Sequence, residues 1–188
     1  MSKKKKVGIA CVIAIIGLIS AVLIIIPISQ REVITPLETV NASGTTGRIL
    51  VIYHPGLSSF PSGIARKFAE GAASKNWIID LSTVSHESPS TVTMYNLIVI
   101  LSPVYGGKPQ TVISTYLTSV DFQSKPVVAI LTYGMADPVD AMTNLTSQIT
   151  AAHGTNLLQA TYLAGVITTE QFSSAYQLGA NQSLIDAI

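Results

Sequence analysis

Apolar positions fall into two kinds of pattern along the chain. First comes one uncharged run of 22 residues, Val7 to Ile28; a polar stretch follows, and then short apolar segments alternate with longer segments of mixed polarity. At about 1.5 Å per residue the first run makes a helix of roughly 33 Å, enough to span a bilayer. Lys3 to Lys6 precede it and the next charge is Arg31. The positive-inside rule then leaves residues 1–6 in the cytoplasm and sends the chain beyond Ile28 outside, which predicts a single-pass membrane protein. A cleaved signal peptide shares the basic start, but its apolar centre is shorter and closes on small residues, whereas this run closes on Ile24-Ile25-Ile26-Pro27-Ile28. A pilin-type assembly helix wants an acidic residue near the start of the run, and none stands there. Cys11 suits a lipid-facing position better than a lipoprotein signal, given Gly8 and Ile9 before it.

Residues 29–47 hold Pro36, Gly44, Gly47 and several Ser and Thr without periodicity, and are expected to be a linker. Residues 48–188 form the expected domain. Ile49 to Tyr53 is a continuous apolar run rich in β-branched residues; a loop of Gly, Pro and Ser follows, and then Ile64 to Glu70 at helical spacing. The pattern recurs. Trp77 to Leu81, Leu97 to Leu101, Val127 to Leu131 and, more weakly, Leu157 to Leu163 read as strands, with helix-length segments at Thr111 to Val120 and Val139 to Ala152. Strands that are apolar throughout, alternating with helices, predict a doubly wound α/β domain around a five-stranded parallel sheet. Such sheets bind ligands beyond the carboxyl ends of their strands, so the loops after the strands are the places to look.

Composition narrows the chemistry. With 48% apolar and only 11% charged residues, the chain carries far less charge than an ordinary soluble domain, and disorder is excluded. The net charge is +1, but four of the 11 bases are Lys3 to Lys6; seven remain against ten acids, or −3. A mildly acidic body argues against a nucleic-acid partner, which needs clustered Lys and Arg. One cysteine permits no internal disulfide and no Cys-based metal or iron–sulfur centre, so redox chemistry here would require a bound organic cofactor.

Three loops carry candidate chemistry. The first, His54-Pro55-Gly56-Leu57-Ser58-Ser59-Phe60-Pro61-Ser62-Gly63, is rich in hydroxyls and leads into a helix, which is compatible both with a phosphate cradle and with an ordinary Ser-capped turn. The second, Ser102-Pro103-Val104-Tyr105-Gly106-Gly107-Lys108-Pro109, puts an aromatic at a strand end beside two glycines that let a flat ligand approach the backbone. The third is Thr132-Tyr133-Gly134-Met135-Ala136-Asp137.

The segment Tyr95-Asn96-Leu97-Ile98-Val99-Ile100-Leu101-Ser102-Pro103-Val104-Tyr105-Gly106-Gly107 resembles the central strand and second flavin loop of flavodoxin-like proteins. The third loop is similar to the Thr-x-Gly turn that meets the other side of the flavin in that family. The likeness runs from about Arg48 to Ala152, more loosely beyond. It implies FMN as cofactor, with Ser58, Ser59, Ser62 and Gly63 at the phosphate. Tyr105, with Ser102, Pro103, Val104, Gly106 and Gly107, would lie along the ring, and Thr132, Tyr133 and Gly134 would meet the ring edge. It also implies electron transfer with a redox protein partner. The chain departs from the family's Ser/Thr-x-Thr-Gly-x-Thr loop: with Ser62-Gly63 as its Thr-Gly, Phe60 and Ala65 stand where hydroxyls are expected. That departure keeps a second reading open, a flavodoxin-like binding or assembly module outside the cell that has lost FMN. No proton-transfer residue stands out, so no catalytic residue is assigned. His54 reads as a turn-stabilising residue or a ligand contact. Neither His86 nor His153 has a partner at metal-ligand spacing, and no Gly-x-Ser-x-Gly elbow marks a hydrolase. The sequons at Asn41, Asn144 and Asn181 are of a kind expected by chance in a chain this rich in Ser and Thr.

Overall fold

The computed structural model describes residues 12–20, 23, 27–135, 137–165 and 168–187. The chain divides into two compact units between Arg31 and Glu32. In the first, residues 12–20 are helical with exposed side chains. Among the described residues no helix is long and apolar enough to cross a membrane. Much of the run from Val7 to Ile28, Cys11 included, lies outside them.

The second unit is built on strands β1 (Glu38–Val40), β2 (Arg48–Tyr53), β3 (Ile78–Thr83), β4 (Leu97–Tyr105), β5 (Lys108–Pro109), β6 (Pro126–Tyr133) and β7 (Thr155–Leu163). Its helices are α1 (Ser59–Ala73), α2 (Thr111–Ser119), α3 (Val139–Ala151), α4 (Thr168–Gly179) and the short α5 (Gln182–Asp186). The sheet runs β1-β3-β2-β4-β6-β7, with β5 folded back on β4. Five strands, β3-β2-β4-β6-β7, are parallel, as the apolar runs predict. The expected five-stranded sheet is nevertheless one of seven strands, because β1 adds an antiparallel edge beside β3 and β5 makes a hairpin with β4.

Part of the stretch expected to be a linker is thus sheet. The Thr39 hydroxyl donates to Asp80 at 2.7 Å, and just upstream the Thr35 N–H donates to the Thr83 hydroxyl, which itself donates to the Val33 carbonyl. Two hydroxyls and three ladder positions replace the apolar run that marks the other strands, so hydrophobic pattern alone misses β1.

Each face of the sheet buries its own core. On one, Ile64, Phe68 and Ala69 of α1 and Ala175 of α4 cover Ile49, Val51, Leu97 and Val99; on the other, Ile113 and Leu117 of α2 and Leu145 and Ile149 of α3 cover Ile98, Ile100 and Ala129. Helices α1 and α4 approach closely at two glycines: a Cβ on Gly71 would lie 2.0 Å from the Tyr176 carbonyl oxygen, and one on Gly179 would lie 2.0 Å from that of Phe68. Rings stack across the same interface, Phe60 on Phe172, with centroids 5.7 Å apart.

At the end of the sheet where the parallel strands start, Asp80 is completely buried and accepts from Arg48 Nε (2.8 Å) and Nη2 (3.1 Å), Thr39 and the Tyr95 hydroxyl (3.0 Å). Burial works to raise its pKa, but these hydrogen bonds and the Arg48 charge win and hold the carboxyl below its ordinary value.

Candidate functional site

From β2 the chain crosses first to β3 on one side and later to β4 on the other, so the order of connection reverses between β2 and β4. That is where an open α/β sheet leaves a crevice. Strand length widens it: the β2–β4 ladder ends at Tyr53 beside Leu101, while β4 continues to Tyr105, pairing Pro103 with Thr132 of β6. A proline inside a sheet forfeits a ladder donor, and here it stands past the point where β2 has turned away.

The loop after β2 folds on itself. His54 is buried, and its Nδ1 accepts the Gly56 N–H at 3.0 Å, the turn-stabilising role. Gly56 has φ +69°, and a Cβ there would lie 2.9 Å from the Tyr105 hydroxyl oxygen, so both backbone angle and space require glycine. That hydroxyl accepts the Leu57 N–H at 2.8 Å. Ser58 caps α1, its side chain accepting from the Phe60 N–H at 3.4 Å. Ser59 is the first helical residue and is exposed. Ser62 lies a turn inside the helix, and burial raises the Tyr53 phenol above its ordinary pKa. Gly63 faces α4, where an added Cβ would meet the Phe172 ring at 2.6 Å.

The second and third loops form the walls. Pro103, Val104, Tyr105, Thr132, Tyr133 and Gly134 surround a cleft of about 140 Å³ together with Leu57, Ser58, Phe60, Pro61 and Ala164. Val104, Tyr105, Tyr133 and Gly134 also border a shallow, mostly apolar trough of about 560 Å³, completed by Gly106, Gly107 and Met135. Gly106 and Gly107 take φ of +63° and +76°, turning the chain from β4 into β5. Ser102 stays outside the lining: it is buried, and its hydroxyl accepts the Gln110 N–H at 2.8 Å.

The fold therefore brings together nine of the residues singled out in the sequence: Ser58, Pro103, Val104, Tyr105, Gly106, Gly107, Thr132, Tyr133 and Gly134. Ser59, Ser62, Gly63 and Ser102 lie outside both linings. Sequence reasoning missed the apolar wall of Leu57, Phe60, Pro61 and Ala164. Ala164 follows β7 and donates its N–H to the Tyr133 carbonyl at 2.7 Å; its position after the fourth apolar run beyond β2 along the sequence was the available signal.

One polar atom on this wall stands apart. Thr132 is 2% exposed, and its hydroxyl, buried, has no hydrogen-bond partner within the protein. A buried hydroxyl without a partner costs free energy, so its place beside a cleft points to a ligand that supplies one. No charged side chain lines the cleft among the described residues. Chemically this is an uncharged, aromatic-walled slot with one spare hydroxyl, suited to a flat ring with acceptors on its edge.

No protein-family model matches the sequence, and a search of curated proteins finds no match. Solved structures do match. A flavodoxin from the domain Archaea is similar at TM-score 0.57 and 16% identity, over 71% of this chain and 94% of that one. Oxidised Flavodoxin 2 from Bacillus cereus is similar at TM-score 0.63 and 14% identity, over 76% of this chain and all of that one. The Flv1 flavodiiron core from Synechocystis sp. PCC6803 gives TM-score 0.63 and 13% identity, over 78% of this chain and 37% of that one. The fold is flavodoxin-like.

Proposed function

We propose that this chain is a membrane-anchored flavoprotein that takes part in electron transfer: residues 7–28 span the bilayer, the N-terminus is cytoplasmic, and the domain lies outside. The buried, unpartnered Thr132 hydroxyl at the crevice between β2, β4 and β6 carries the flavin reading. The similarity to flavodoxins supports it through the fold, and the Lys3 to Lys6 run before the 22 uncharged residues supports the topology.

The ring half of FMN fits the site. Thr132 would donate to the ring edge, Tyr105 and Tyr133 would pack along the ring, and Pro103 and Phe60 would keep water from one side. The flavin supplies the chemistry, accepting and releasing electrons one or two at a time. The protein's contribution is to bind and orient the ring and to set its electrostatics through a neutral wall. An electron carrier requires no acid or base, and no residue is assigned a catalytic role. Its partner is a redox protein.

Thr132→Val is the test, because it separates a ligand contact from packing. Removing a buried hydroxyl that has no partner should leave the apo protein as stable or raise its stability by about 1 kcal/mol, and should weaken flavin binding by about 1 kcal/mol. Fluorescence titration of the full-length chain in detergent with FMN and riboflavin, beside thermal melts without ligand, reads both. If neither flavin binds the parent protein, the flavodoxin-like fold here serves as a binding or assembly module without FMN.

A further inference from the structure

Resting on the flavin reading, we infer that the site selects its ligand by the ring alone and does not grip a terminal phosphate, so that the ligand class is the uncharged isoalloxazine system whatever its tail. A phosphate in a crevice of this kind needs backbone N–H groups, hydroxyls or cations converging on it. In the first loop three N–H groups are already engaged by the protein, and Ser59 lies exposed outside both linings. The Gly56 N–H is taken by His54, the Leu57 N–H by the Tyr105 hydroxyl, and the Phe60 N–H by Ser58. Pro61 has no N–H to offer, Ser62 lies a turn inside the helix and outside both linings, and Gly63 is packed on Phe172.

The cations of α1 are also committed. Arg66 holds both carboxylate oxygens of Glu38 at 2.9 and 2.8 Å, and Lys67 holds Glu70 at 2.5 Å. Lys108, opposite Tyr105 in the β4–β5 hairpin, is exposed and lies outside both linings. The Tyr105 hydroxyl thus sits where a phosphate oxygen would have to come for the Leu57 N–H, while the same residue's ring remains on the wall of the cleft. One tyrosine both builds the ring slot and closes the anion position beside it.

Full-length protein titrated with riboflavin, FMN and FAD distinguishes the cases. The expected result is that riboflavin and FMN bind within about threefold of each other, since a phosphate left in solvent contributes little. A working cradle of two or more charge-assisted hydrogen bonds would make FMN tighter by about a hundredfold, and a preference above about thirtyfold overturns the inference while leaving the flavin reading intact. Binding of neither overturns the flavin reading, and the inference with it. Tyr105→Phe keeps the ring and releases the Leu57 N–H. The ratio of FMN to riboflavin affinity should rise several-fold in that variant, a change that loss of packing alone, which affects both ligands equally, does not produce; an unchanged ratio also counts against the inference.

Discussion

Replacing Gly71 by Ala tests whether the contact between α1 and α4 is as close as the backbone geometry states, because two opposite effects meet at this residue. In a helix interior Ala is favoured over Gly by about 1 kcal/mol, so propensity alone makes the variant more stable. The new Cβ, however, would stand 2.0 Å from the Tyr176 carbonyl oxygen, 2.9 Å from its carbon and 3.0 Å from the Ala180 nitrogen. All three are backbone atoms, which no rotamer change can remove. Restoring ordinary contact moves α4 outward by more than 1 Å, and that gap opens the Phe60–Phe172 stack and the Gly179–Phe68 approach as well. Overpacking of this kind costs about 1–3 kcal/mol, and a radial gap of up to 1 Å forfeits a quarter to a half of the dispersion energy across the interface. The steric cost wins: a net loss of about 2 kcal/mol is expected, or roughly 4–8 °C in Tm for a domain of this size. Urea titration and thermal melting, each followed by far-ultraviolet circular dichroism, measure it. A Gly71→Ala protein as stable as its parent, or more stable, would refute the argument, since the steric cost would then not exceed the gain in helix propensity.

Two shorter expectations concern charge and topology. Asp80→Asn should cost about 2–3 kcal/mol, less than a fully buried pair because Arg48 keeps a third of its side chain in water. The carboxyl's pKa is lowered on folding, so its contribution is complete above its ordinary value near 4 and fades as pH falls through the lower folded value. The gap in Tm between parent and variant should therefore shrink between pH 6 and pH 3, and a gap independent of pH contradicts the assignment. Protease added to intact cells should remove the domain and leave an N-terminal stub; full protection would place the domain inside.

The parts of the fold written in hydrophobic pattern were legible. Ile49–Tyr53, Leu97–Leu101 and Val127–Leu131 are β-branched, apolar on both faces and central in the sheet, so each residue reports burial directly. β7 reads more faintly because it pairs on one side only and leaves several side chains partly exposed. Helix α4 was not foreseen. Its buried face is carried by Phe172, Ala175 and a glycine, and the glycine, Gly179, is required only by the close approach of the Phe68 backbone, more than a hundred residues earlier. Tyr105 and Thr132, which line the cleft, were legible because an aromatic or hydroxyl after an apolar run is conspicuous. The serines are ambiguous for a physical reason: a hydroxyl at a helix start serves the helix's own N–H groups as readily as a ligand's oxygens, and Ser58 caps α1 while also lining the cleft.

β1 runs against every parallel strand of the sheet, and so decides at which end the chain enters it. Thr35 lies beside Thr83 and Glu32 beside His86, both at the end where β3 finishes, the end that also carries the cleft loops. Had β1 been parallel, the entry point would lie a strand length away, roughly 20 Å; as built, it is one or two strand spacings from the crevice, about 5–10 Å. Residues 33–35 are pinned to Thr83, which removes the slack a free linker would give. If the N-terminal run holds the chain at a membrane, as proposed above, the domain is confined there at high effective concentration toward anything resident on the same surface. The domain would then exchange with neighbours along that surface before it exchanges with molecules arriving from bulk solution.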